Sequence, residues 1–151
     1  MRKVRSTDTA PEKLVRSLLH GCGYRFKLSN KNLPGNPDIV LSKYKTVVFV
    51  HGCFWHRHKG CRASSMPQSN IDYWQKKFSG NERRDRRVKQ ELRQLGWRVC
   101  VVWECQTKFP QKLIIRLKRY LNSVRHYENR ADALLCKVAE DSPVYKIEKK
   151  G

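Results

Sequence analysis

The chain has 151 residues, enough for about one domain with a buried core. It carries 33 Lys and Arg against 13 Asp and Glu, a formal charge of +20, which opposes compaction and favours a polyanionic partner, nucleic acid before a membrane surface. With no apolar run near about 18 residues and no apolar stretch behind Met1-Arg2-Lys3-Val4-Arg5, neither a membrane span nor a secretory leader is expected, and a cytoplasmic protein with reduced thiols is.

In chain order, "TDTAPEKLVRSLLHGCGYRF" opens with Thr7, Asp8 and Thr9 as N-cap candidates, with Pro11 and Glu12 in a first turn that suits both. Leu14, Leu18 and Leu19 recur at helical spacing, and Gly21 or Gly23 is expected to end the helix. In "NLPGNPDIVL" a Pro-Gly turn leads into a strand starting near Asp38. "YKTVVFV" reads as a second strand, joined to the first in a hairpin by the short Ser42-Lys43 link. From Ile71 to Leu95 the pattern is helical: Ile71, Trp74 and Phe78 share a face, Gly80-Asn81 interrupts, and Val88, Leu92 and Leu95 resume it. "WRVCVVWE", Trp97 to Glu104, is a continuous apolar strand, as in a sheet covered on both faces. Pro110 to Leu121 forms an amphipathic basic helix. From Asn122 the sequence is polar and without period, so a domain at 1–121 is expected to carry a loosely ordered tail at 122–151. The order α-β-β-α-β-α implies one α/β domain around a central mixed sheet.

Six Cys without a disulfide framework leave metal binding, catalysis or burial. Cys53, His58 and Cys61 form a C-x4-H-x2-C cluster, and Cys105 follows the third strand. Four such ligands suit a closed, tetrahedral Zn²⁺ site, which would order a loop too polar to hold itself by packing. Cys22, Cys100 and Cys136 read as plain buried thiols.

Pro37-Asp38 begins one strand and the neighbouring strand ends at His51. A carboxylate facing a base across two strands is how many nucleases hold Mg²⁺ beside a phosphodiester. Phe49 offers no second carboxylate, so a further metal contact would come from a backbone carbonyl, that of Val50. His51 stands where such a site often has a Lys. His56 could carry a proton at neutral pH, with Glu12 as a candidate orienting partner and Asp85 as an acceptor that fixes a histidine. Phe54-Trp55 lie in a polar loop, either capping a small satellite core or presenting a wedge to DNA. Trp74 reads as part of a core face. Arg83, Arg84, Arg86 and Arg87 lie along a helix that is either a solvated face or a phosphate-facing one.

"DTAPEKLVRSLL", "LPGNPDIV", "VFVHGCFWHRH", "YWQKKFSGNERRDRR" and "LGWRVCVVWEC" occur in this order from Met1 to Leu121, and together they resemble the very-short-patch repair (Vsr) endonucleases. The resemblance implies a restriction-endonuclease-like α/β fold with a structural zinc. It also implies an enzyme that nicks double-stranded DNA 5′ of the T in T:G mismatches, left by deaminated 5-methylcytosine. By position it makes Asp38 and the Val50 carbonyl the Mg²⁺ contacts, and His51 and His56 the catalytic histidines with His56 as base. Glu12 and Asp85 match acids that work with them. Cys53, His58, Cys61 and Cys105 match the zinc set, and Phe54, Trp55 and Trp74 the aromatics that wedge in beside the mismatch. A single nick needs only a monomer, working in the bacterial cytosol at the nucleoid, with mismatch-repair proteins as possible partners.

This chain departs from the family pattern in three places: Val50 stands where a Thr is common, Gly60 is inserted before Cys61, and few residues precede Thr7 where the family has a DNA-gripping arm. Two other readings stay open: a nuclease of this fold without mismatch preference, and a zinc-stabilised DNA-binding module without catalysis. Asp38 argues against the second, since a carboxylate near phosphate only repels it.

Overall fold

The computed structural model describes residues 7–28 and 31–123. Helix α1 spans Ala10–Gly21. Its start is fixed by reciprocal bonds: the Thr9 hydroxyl accepts the Glu12 N–H, and the Glu12 carboxylate accepts the Thr9 hydroxyl proton. The buried stripe is Glu12, Val15 and Leu19, whereas Leu14 and Leu18 are only half-buried. The helix is therefore rotated from the expected leucine face. Gly21 is its last residue, and the reversal falls on Gly23 at φ 81°. Cys22 at the cap is exposed, contrary to the buried thiol expected, while Cys100 is buried as read.

Strand β1, Lys27–Leu28, was not legible in the sequence, because two residues carry no period. It pairs antiparallel with β2, Ile39–Leu41, which pairs antiparallel with β3, Thr46–His51. The hairpin expected between β2 and β3 forms, with a 3-10 turn at Ser42–Tyr44 and Lys45 left-handed at φ 45°. Helix α2 runs unbroken over Ile71–Gln94, so the interruption expected at Gly80-Asn81 is absent. A glycine inside a helix costs only about 1 kcal/mol, and buried Phe78, Val88 and Leu92 hold the helix on either side of it. Ile71, by contrast, is exposed.

Strand β4, Arg98–Trp103, runs parallel to β3 and completes a four-stranded mixed sheet in the order β1-β2-β3-β4. Its burial alternates, with Cys100 and Val102 inside and their neighbours partly open, so this edge strand is not covered on both faces as expected. On one sheet face Val40, Val47 and Phe49 pack against Val88 and Leu92 of α2. On the other Ile39, Leu41, Val48, Cys100 and Val102 are buried. Gly35 (φ 72°), in the Pro-Gly turn, lies so close to α2 that a Cβ there would drive into the Val88 side chain.

Residues 110–123 form helix α3. Contacts divide the chain into a unit ending at Ile114 and a second beginning at Ile115. Asn122 and Ser123 continue the helix, and the rest of the expected tail, with Cys136, lies outside the described residues. Among the described residues no helix is long and apolar enough to cross a membrane.

Candidate active site and metal centre

The site lies where strand ends meet. The β2–β3 register pairs Ile39 with Val48, which brings Asp38 beside the last residues of β3. There Asp38 Oδ2 accepts the Val50 N–H at 2.7 Å. Burial pushes the Asp38 carboxyl up to about 6; the Val50 hydrogen bond opposes this and the charge of Glu12 adds to it. A buried carboxylate of that kind gains strongly from a cation.

His51 shares the face of Val47 and Phe49, the face that α2 covers. Asp85 stands one turn before Val88 on that helix, and this turn meets the histidines. The His51 ring is buried and stacks on His56, centroids 3.8 Å apart and planes 8° from parallel. His56 Nδ1 lies 2.5 Å from Asp85 Oδ2. Burial, then the neighbouring His56, drives His51 down to about 3, so His51 is neutral near pH 7. Burial alone would raise Asp85, but the hydrogen bond from His56 and the surrounding positive charge outweigh it and hold the carboxyl below its ordinary range. With Nδ1 committed to Asp85, Nε2 of His56 is the atom left to take a proton.

Glu12 is 4% exposed. Its Oε1 accepts the Thr9 hydroxyl at 2.9 Å; its Oε2 accepts the Asp8 N–H at 3.0 Å and Arg16 Nη2 at 3.2 Å. It thus caps α1 while facing a cleft of about 560 Å³. The cleft runs from Thr9, Pro11 and Glu12 across Val50, His51 and Gly52 to Trp55, His56 and the α2 residues Lys77, Asn81 and Arg84, with Glu104 beside them. Lys77, Asn81 and Glu104 were missed in the sequence. The spacing of Lys77, Asn81 and Arg84 does mark one helix face, but a polar face normally reads as solvated. Of the four arginines expected at DNA, Arg84 alone lines the cleft; Arg87 pairs with Glu91 at 3.7 Å on the outer surface.

Below the histidines, Cys53, His58, Cys61 and Cys105 bring one ligand atom each to within 4.8 Å of one another. A tetrahedral ion with Zn–S near ~2.3 Å and Zn–N near ~2.05 Å sets S and N about 3.6 Å apart. His58 Nδ1 lies 3.6 Å from Cys53 Sγ and 3.4 Å from Cys105 Sγ, so the residues fit a metal ion of this size. Burial first, and then bonding to neighbouring thiols, pushes the Cys53 thiol up to about 12, so a cation is what would favour its thiolate. Trp103 stands between the two centres. Its ring stacks on His58 at 4.2 Å and meets His51 edge-on at 5.5 Å.

Phe54 sits amid an aromatic cluster, edge-on to Trp55, Trp74 and Phe78 at 5.2–5.3 Å. Phe78 is buried, whereas Phe54, Trp55 and Trp74 are only half-buried. The core-face reading of Trp74 therefore holds for Phe78 but not for Trp74. Asn81 ties the loop to α2 by donating to the Trp55 carbonyl at 3.0 Å.

Residues 1–62 match the family model for the DNA mismatch endonuclease Vsr. The type II nicking enzyme V.XorIIP of Xanthomonas oryzae pv. oryzae is 52% identical over 122 residues, 81% of this chain and 89% of that protein. The DNA mismatch endonuclease Vsr of Escherichia coli is 44% identical over 113 residues, 75% of this chain and 72% of its own. The chain belongs to the Vsr family of DNA mismatch endonucleases. The type II nicking enzyme V.NmeAIP of Neisseria meningitidis is 45% identical over 125 residues, 83% and 89% of the two chains. Among solved structures, the catalytic domain of the homing endonuclease I-Bth0305I superposes with a TM-score of 0.53 at 19% identity, covering 78% of this chain and 98% of that domain. The architecture is thus the endonuclease fold expected, a mixed sheet flanked by helices. This Vsr-family chain is an endonuclease, a hydrolase of DNA phosphodiester bonds.

Proposed function

We propose that this Vsr-family protein nicks one strand of double-stranded DNA on the 5′ side of the T in a T:G mismatch. The observation that carries the reading is the convergence of Asp38, the stacked His51–His56 pair and Asp85 at one end of a mixed sheet, beside a half-open aromatic cluster. Asp38 and the Val50 carbonyl would hold Mg²⁺, which supplies polarisation of the scissile phosphate and stabilisation of the leaving oxygen. His56, oriented by Asp85, takes the proton of the attacking water. His51, kept neutral by burial, donates a hydrogen bond to developing charge, and Glu12 holds the first turn of α1 against the cleft.

Phe54, Trp55 and Trp74 part the base pairs at the wobble, where unstacking costs least. Arg84 meets the phosphate backbone in the cleft; Arg83, Arg86 and Arg87 add the longer-range field of a +20 protein. Zn²⁺ on Cys53, His58, Cys61 and Cys105 would order the loop that carries these groups. The protein acts as a monomer in the bacterial cytosol, near the nucleoid and its mismatch-repair proteins. The endonuclease domain is the segment 1–121, followed by a charged segment at 122–151.

A second reading has its own support: relatives in the family bear the name type II nicking enzyme, with no mismatch in the name. A strand-resolved nicking assay on end-labelled duplexes, T:G against C:G in several flanking contexts, tests both. A cut confined to the T strand of mismatched DNA is expected. Equal cutting of matched DNA would move the assignment to a general nickase. Binding without any cutting would refute catalysis.

A further inference from the structure

Arg57 stands between His56, the proton carrier, and His58, a ligand of the metal clip. Its φ of 52° lies in the left-handed region, which is sterically strained for any residue with a Cβ. The turn requires this reversal. His56 N–H bonds the Gly52 carbonyl at 3.2 Å and His58 N–H the Cys53 carbonyl at 3.0 Å. The two imidazoles then leave in different directions, one to Asp85 and the other to Cys53 and Cys105.

The Arg57 side chain is tied on both sides of this turn. Its Nη1 donates to the Ser64 carbonyl, and its Cζ lies 4.9 Å from the centre of the Phe78 ring. Ser64 belongs to the clip, since its hydroxyl lies within hydrogen-bond reach of the His58 carbonyl at 2.6 Å and of the Cys61 carbonyl at 2.8 Å. Phe78 carries Phe54 and Trp74 against its own ring at 5.2 and 5.6 Å. One guanidinium therefore joins the clip, the floor of the aromatic cluster and the strained backbone beside His56.

The geometry points to Arg57 as a positioning residue: its two ties offset the cost of the left-handed turn that sends the His56 ring to Asp85 and the His58 ring to the clip. The inference rests on the reading of His56 as the proton carrier. Glycine adopts this φ without steric cost, whereas alanine keeps the strain and loses the ties.

Three full-length proteins are compared: the parent, Arg57→Ala and Arg57→Gly. The nicking rate constant at saturating enzyme is expected to fall about 10–100-fold in Arg57→Ala, with bound metal unchanged. Arg57→Gly is expected to recover most of that loss. Imidazole NMR without DNA reads the same coupling directly. The proton shared by His56 Nδ1 and Asp85 should shift or vanish in Arg57→Ala and return in Arg57→Gly. A rate for Arg57→Ala within twofold of the parent, equal losses in both variants, loss of metal, or an unchanged His56 resonance overturns the inference. A parent that nicks nothing sinks the proposed function, while the NMR comparison still decides the role of Arg57.

Discussion

Asp38→Asn should make the protein more stable and inactive at once. The amide is close to isosteric with the carboxylate and retains an oxygen to accept the Val50 N–H, which now bonds Asp38 at 2.7 Å. What disappears is a buried negative charge. The rise of the Asp38 carboxyl from its ordinary 3.8 to about 6 corresponds to about 3 kcal/mol spent holding the anion in place, with burial the main cause. Because the folded-state value is raised, the favourable contribution of Asp38 is complete below 3.8 and is lost as pH rises through about 6. In magnesium-free buffer at pH 8, Asp38→Asn is expected to exceed the parent by about 2–3 kcal/mol, or about 5–10 °C in Tm. The gap should close on acidification toward pH 4. Urea unfolding followed by circular dichroism at several pH values measures it, and a strand-resolved assay on the same samples should show no nicking. If Asp38→Asn is no more stable at pH 8, or if its advantage does not shrink with acid, Asp38 is not a buried anion kept for binding a cation.

Asp85→Asn should lower the nicking rate about 10–100-fold by freeing His56 to rotate. Because the Asp85 value is depressed in the folded protein, the stability it provides is present above 3.8 and lost as pH falls through its lowered value; the variant should be less stable at pH 7 and converge with the parent in acid, as unfolding curves will show. Stripping the Cys53–His58–Cys61–Cys105 centre with a strong chelator should remove on the order of 5 kcal/mol or more and abolish nicking, with metal content and Tm measured together. Gly35→Ala should cost about 2–4 kcal/mol in chemical denaturation, since the new methyl meets Val88 and the backbone is left-handed.

Long periodic segments were legible in the sequence because their burial follows one repeat. The two-strand hairpin, the strand after the long helix and the metal-ligand spacing of Cys53, His58 and Cys61 all came from local pattern. The break expected at Gly80-Asn81 did not form, because contacts on either side outweigh the small local cost of glycine. Strand β1 is made by pairing with β2, not by its own two residues.

The sequence by itself determined which chemical groups this protein brings: a strongly basic charge, a loop rich in Cys and His, a carboxylate before a strand and histidines after one. Only the tertiary structure decided which of these meet. Asp85 reaches His56 because the face of α2 that buries Val88 and Leu92 carries Asp85 one turn earlier, 29 residues along the chain from its partner. Cys105 joins the cluster of Cys53, His58 and Cys61 because β4 runs parallel beside β3 and ends level with it. Lys77, Asn81 and Glu104 enter the cleft for the same reason. Such meetings depend on how sheet and helix pack across long sequence separations, and no local period records that distance.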